Sequence, residues 1–378
     1  MNRKQQDQQG LFAHDTPIQP WFWAILANRF QVDYFILLLP GLLEESHKVW
    51  FIILVGLLAA IPVYLTGKFL DSGGHLRLRK LSGNVWARLL MVPAAAVIVL
   101  KLTIAVKGYV GLVHQILFPS VGTGLFVFLI LAGSYYLARN GMYITLRFCL
   151  MAVLTTLIIL VIYIDFLFPP QAHYYHLFPI FPGNGTDYGL DAFFTMWPLY
   201  SGVEFLIVLG SWTGGKPLTK YLLAGHALTM LEYVYLFIVS LLFFGSAYLS
   251  TLEYPHVHLI RYIQLPFFER IEMFLIPLYI TSYILVISIL MLYLYGAFRI
   301  ALNRTEKPAN PKGLFILYLI VLFYFYIVDR WLWTTEIQRE IWEKIQMTAS
   351  GIAFVLVPPS VYFIWKFSER RAKGEKMA

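Results

Sequence analysis

Ten stretches of this chain are predominantly apolar over about 17 or more residues, and most of the loops between them are too short to fold alone. They lie at 21–43, 49–67, 89–116, 122–138, 142–164, 191–212, 222–249, 272–298, 313–329 and 347–366. About 20 apolar residues cross the hydrocarbon core of a bilayer as one α-helix, and an open chain that is not helical cannot satisfy its backbone there. The pattern therefore predicts an all-α integral membrane protein of about ten transmembrane helices. These form one membrane domain over 21–366, preceded by a polar tail at 1–20 and followed by a basic tail at 367–378. Charged residues make up only 13% of the chain, about half the usage of soluble domains. The polar tail has no cleavable-signal pattern, so the first apolar segment is expected to stay in the protein as an anchor.

The net charge of +8 raises the question of nucleic acid, and the placement of the basic residues answers it. Apart from the mid-span Arg29, Lys101 and Lys107, 20 Lys and Arg fall in the tails, in alternate loops or at the adjoining segment ends on one face, against six on the other (Lys48, Arg261, Arg270, Arg330, Arg339, Lys344). This is the positive-inside bias of a membrane protein, and it puts both termini in the cytoplasm. The aromatic-rich runs are apolar on every side and offer no base-stacking platform. One cysteine, Cys149, precludes a disulfide framework or a CxxC metal site. No phosphate-binding loop, dinucleotide fingerprint, HExxH or GxSxG is present, so neither ATP-driven transport nor hydrolase chemistry is expected.

Within the sixth segment, DAFFTMWPLYSGVEFLIVLGSW, Pro198, Gly202 and Glu204 stand near the middle. Pro and Gly are tolerated in a membrane helix only where protein or a water-lined cavity satisfies the freed backbone, so this helix is expected to break. A carboxylate at that depth needs a partner, a proton or a ligand; alternatively it ties two helices together. The first segment has a similar interruption, with Arg29 and Asp33 in mid-span and Pro40-Gly41 closing the run. Segments 1 and 6 open two successive sets of five, 21–164 and 191–366. Interrupted helices in corresponding positions point to a transporter-type binding site near the midplane. Arg29 and Asp33, four residues apart, could equally neutralise each other on one helix face.

The third segment adds Lys101 and Lys107. They could serve as counter-ions for Glu204 or Asp33, or could snorkel toward the interface, which suits Lys107 better than the deeper Lys101. His173 and His176 in the 165–190 loop and His256 and His258 in the 250–271 loop are spaced like metal ligands. No cysteine accompanies them, and such residues also populate membrane interfaces; no metal or other cofactor is expected.

Three stretches resemble one family. In YLARNGMYITLRFCLM, Gly141 is followed six residues later by Arg147; YSGVEFLIVLGSW carries a Gly-x-Glu at Gly202 and Glu204; LPFFERIEMFLIPLYI carries Glu269, Arg270 and Glu272 in a Glu-Arg-x-Glu pattern before the eighth segment. Together they resemble the spore germination GerB-type permeases, the B subunits of germinant receptors, within the amino acid–polyamine–organocation superfamily. The resemblance implies a five-plus-five inverted repeat with broken helices 1 and 6, no enzymatic activity, and a place in the spore inner membrane beside A- and C-type receptor subunits. It also implies recognition of a small germinant, an amino acid or amine-like molecule, in a midplane pocket between helices 1, 3, 6 and 8. A proton- or Na+-coupled secondary transporter of amino acids or amines is the alternative. On this reading Asp33, Gly202, Glu204, Lys101 and Lys107 are the candidate ligand-binding residues. Arg29, Pro198, Gly141, Arg147, Glu269, Arg270 and Glu272 are the candidate structural or coupling residues. Where family members place small residues at the unwound part of helix 1, this sequence has Asp33 and Phe35. An aspartate there would repel a ligand carboxylate, which favours an amine, a sugar-like ligand or a degenerate site.

Overall fold

The computed structural model describes residues 11–12, 19–38, 46–72, 85–181, 190–212, 217–252, 254–263, 270–304 and 309–374. No strand occurs among them. The helices are α1 (Trp21–Leu38), α2 (Val49–Asp71), α3 (Val85–Ile116), α4 (Thr123–Arg139), α5 (Met142–Ile162), α6 (Leu190–Met196), α7 (Thr219–Leu249), α8 (Pro255–Arg261), α9 (Glu272–Ala301), α10 (Pro311–Ile327) and α11 (Glu336–Gly374). Among the described residues, seven helices are long and apolar enough to cross a bilayer unaided: α2, α3, α5, α7, α9, α10 and α11 with their short extensions. The three remaining predicted segments fall short for separate reasons. α4 has 17 residues. α1 has 18 but includes Asn28, Arg29, Gln31 and Asp33. The sixth segment does not form one helix.

That segment runs from α6 into a tight 3-10 turn at Trp197–Tyr200, extends at Ser201 and Gly202, and resumes as a 3-10 helix at Val203–Trp212. Pro198 is buried at the second position of the 3-10 turn, where its missing N–H costs no hydrogen bond. Gly202 has φ +127°, and a Cβ there would lie 2.2 Å from the Phe30 ring of α1. Gly225 of α7 lies against α1 on another side, with the site of its missing Cβ 2.1 Å from the Ala24 carbonyl oxygen. The first helix is thus seated between two glycines.

Much of the helix packing follows the symmetry of two sets of five, the contacts of α4 with α9 and of α2 with α11 being exceptions. The α1–α7 contact has its counterpart in that of α2 with the broken helix, and α1–α5 in that of the broken helix with α11. Likewise α5–α9 matches α3–α11, while α2–α7, α3–α9 and α4–α10 map onto themselves. Both broad loops carry structure. The one after α5 forms 3-10 turns at Tyr163–Leu167 and Tyr174–Leu177, and the one after α7 contains α8. The first clasps a kink in α7 at Gly245 (φ +71°). Displacement of the helix there frees the Leu242 carbonyl, which accepts from the His173 N–H (3.0 Å) and His176 Nδ1 (3.1 Å).

Candidate functional site

The polar centre lies where α1 crosses the broken helix, among α3, α7 and α9. Arg29, Asp33, Lys101, Glu204 and Glu232 all lie almost entirely out of contact with solvent. Charges in a bilayer interior persist only when paired or liganded, so their partners define what the site can do.

Arg29 pairs with Glu232 of α7, its Nη2 donating to both carboxylate oxygens, and its Nε donates to Asn28 Oδ1 at 2.8 Å. The second Arg29 amino group, Nη1, has no hydrogen-bond partner among the described residues. The i,i+4 alternative of an Arg29–Asp33 pair is therefore not what the chain forms. The carboxylate of Glu232, on another helix, instead meets the guanidinium with both oxygens on one amino group. Asp33 instead accepts twice from Ser282 Oγ of α9, at 2.9 and 2.7 Å, and its carbonyl accepts from Tyr283 Oη at 3.2 Å. It makes no ion pair among the described residues, and the charges acting on it are those of Arg29 and Glu232.

Glu204 Oε2 accepts from the Gly202 N–H, so the broken backbone is satisfied by the carboxylate two residues later. Glu204 Oε1 is buried and has no hydrogen-bond partner among the described residues. Lys101 of α3 is the opposite charge acting on Glu204. Around these charges, Gln31 Nε2 donates to the Tyr200 carbonyl at 2.5 Å, and Tyr233 Oη to the carbonyls of Gln31 and Leu199 at 2.8 and 2.9 Å. His226 Nε2 lies 2.8 Å from the Gly56 carbonyl. The freed carbonyls of the 3-10 turn are thus held by side chains of α1 and α7, which fixes the break in place.

The other predicted residues lie elsewhere. Lys107, two turns beyond Lys101, pairs with Asp329 on the π-turn that ends α10, where Thr123 Oγ1 also donates to Asp329. It is neither a counter-ion for Glu204 or Asp33 nor part of the central cluster. α1 is helical through Asp33 and Phe35, so it does not unwind there; Pro40-Gly41 and the side chain of Phe35 lie outside the described residues. Gly141 (φ +84°) begins α5 against the Leu11 carbonyl oxygen, which accepts from Met142 N while Leu11 N donates to the Ala309 carbonyl. Arg147 lies over the Tyr143 ring at 5.0 Å. Arg270 pairs with Glu272 at 2.8 Å at the start of α9, and Glu269 lies outside the described residues. Glu232, Ser282, Gln31 and Tyr233 were not among the sequence candidates. Glu232 was detectable, as the lone acidic residue in the seventh apolar segment; the others carry no comparable signal.

A family model described as spore germination protein matches residues 18–330. This chain belongs to that family. A curated relative, the spore germination protein GerQB of Bacillus cereus, is 22% identical over 218 residues, which are 57% of this chain and 59% of that protein. Among solved structures, the manganese transporter of Eremococcus coleocola, crystallised with an aromatic bis-isothiourea compound, superposes with a TM-score of 0.52 at 10% identity. The match covers 90% of this chain and 76% of that one. At that identity the likeness concerns the fold alone. This germination protein is accordingly a multi-pass membrane protein with a transporter-like helical fold.

Proposed function

We propose that this germination protein is the membrane subunit of a spore germinant receptor. It recognises a small ligand between α1, α3, the broken helix and α9, and passes occupancy on to A- and C-type partner subunits. The proposal places it in the spore inner membrane with both termini cytoplasmic. The observation that carries this reading is that two buried atoms of the central cluster, Glu204 Oε1 and Arg29 Nη1, have no hydrogen-bond partner among the described residues. Buried polar atoms are nearly always partnered, and an acceptor and a donor left open beside a helix break are what a ligand or bound water would complete. A ligand that prefers one setting of the break at Gly202 shifts the population toward it, and no chemistry on the ligand is required.

The test is genetic. Spores lacking this chain should lose their response to one class of germinant while still germinating through other receptors. An unchanged response to every germinant tested, with the other receptors also removed, refutes the proposal. The transporter-like fold also supports a second reading, a proton- or Na+-coupled transporter of amino acids or amines. Ligand-driven uptake into vesicles containing the purified protein would favour it.

A further inference from the structure

At the end of the bundle where α7 ends and α11 begins, a cavity of about 1320 Å3 opens between α6, α11 and the end of α7. One wall is the first turns of α11. Three carboxylates (Glu336, Glu340, Glu343) and two cations (Arg339, Lys344) line the cavity there. Arg339 is held at 2.9 Å from Glu343 and 3.3 Å from Glu336, and lies over the Tyr254 ring at 5.5 Å. Lys344 is 3.8 Å from Glu340. With both cations engaged, this wall retains one carboxylate in excess. The facing wall is aromatic, with Phe193, Phe194 and Trp197, and Phe193 stacks on Trp197 at 5.8 Å.

Leu37 also lines the cavity, and Asp33 lies one helical turn before it on the same face of α1. The cavity therefore ends about one turn from the buried carboxylate. At the crossing below, Arg29 pairs with Glu232, and Lys101 is the opposite charge acting on Glu204; the Asp33 carboxylate accepts from the neutral Ser282 hydroxyl and makes no ion pair among the described residues. Among the described residues, both stages of this path are thus short of one positive charge, and the first also offers π-faces, which attract cations.

We propose that the cavity and Asp33 form a two-step path for an organic ammonium ion. The aromatic wall takes its apolar body and the acidic wall draws it in. Asp33, with Ser282, seats the ammonium group. A ligand whose only charge is a carboxylate meets repulsion at both steps. This inference rests on the ligand-recognition reading above and names the chemical class of the ligand.

The experiment uses the purified full chain in an uncharged maltoside detergent and two probes of similar body and opposite charge, phenethylammonium and 3-phenylpropionate. Binding is read from the thermal unfolding temperature and by titration calorimetry. Phenethylammonium should bind saturably and raise the unfolding temperature, and 3-phenylpropionate should do neither. Asp33→Asn, which keeps an acceptor for Ser282, should weaken phenethylammonium by roughly ten- to a hundredfold. Glu340→Lys should slow its association with a smaller effect on dissociation. Equal or tighter binding of 3-phenylpropionate overturns the proposal, as does unchanged affinity in Asp33→Asn; the comparison of the two probes needs no variant. Ammonium selectivity in a protein whose loss leaves germination unchanged would remove the receptor reading and keep this site. Loss of one germinant response without ammonium selectivity would do the reverse.

Discussion

Replacing Gly202 by alanine tests whether the break in the sixth segment and the seat of α1 are one feature. Two costs arise at that position. The backbone at φ +127° is nearly closed to residues with a Cβ, and holding one there costs about 1–3 kcal/mol. The new methyl would also lie 2.2 and 2.3 Å from Cδ1 and Cε1 of Phe30. That ring is fully buried and packed on Tyr293 at 5.7 Å, so it has little room to withdraw, and overpacking of this kind costs about 1–3 kcal/mol more. The expected destabilisation is therefore about 2–6 kcal/mol. Adding Phe30→Ala removes the overlap but not the backbone strain. The double variant should then be more stable than the sum of the single effects by about the overpacking share, roughly 1–3 kcal/mol. The protein supplies its own assay, because Cys149 is the sole cysteine and is fully buried. A thiol-reactive fluorophore should label it only as the bundle opens, and the midpoint of labelling on heating reports stability. A Gly202→Ala protein that opens at the wild-type temperature, or two substitutions whose effects simply add, would refute the reasoning.

Three further outcomes follow from the site. Arg29→Met should destabilise the protein by about 3–5 kcal/mol, because it strands Glu232 in the interior. Arg29→Met with Glu232→Leu should recover most of that in the same labelling assay, whereas additive losses would show that the two charges are not a unit. Glu204→Gln should abolish the ligand response while the protein remains folded and inserted; a normal response would make the glutamate a structural tie. For topology, Cys149→Ser frees the chain for single-cysteine labelling, and impermeant reagent applied outside should reach a cysteine at Ser250 but not one at Ser72. The opposite pattern would invert the orientation.

Much of the site was written in the sequence as composition against depth. Arg29, Asp33, Lys101 and Glu204 are conspicuous because each stands in an apolar run where a charge is costly. Pro198 and Gly202 marked the break because neither suits a helix interior. The apolar runs themselves determined the class of protein and the number of segments, since a bilayer admits few other ways to satisfy a backbone. The pairing of the charges was not legible. Arg29 finds Glu232, 203 residues away, and Lys107 finds Asp329, 222 residues away. Asp33 finds a serine rather than the arginine one turn before it. Spacing along one helix says which side chains share a face, but only the rotation and crossing of packed helices decides what each face meets. The cavity between α6 and α11 has the same origin. Its acidic wall and its aromatic wall come from segments more than 130 residues apart, and they face each other only because the two sets of five helices pack around the broken one.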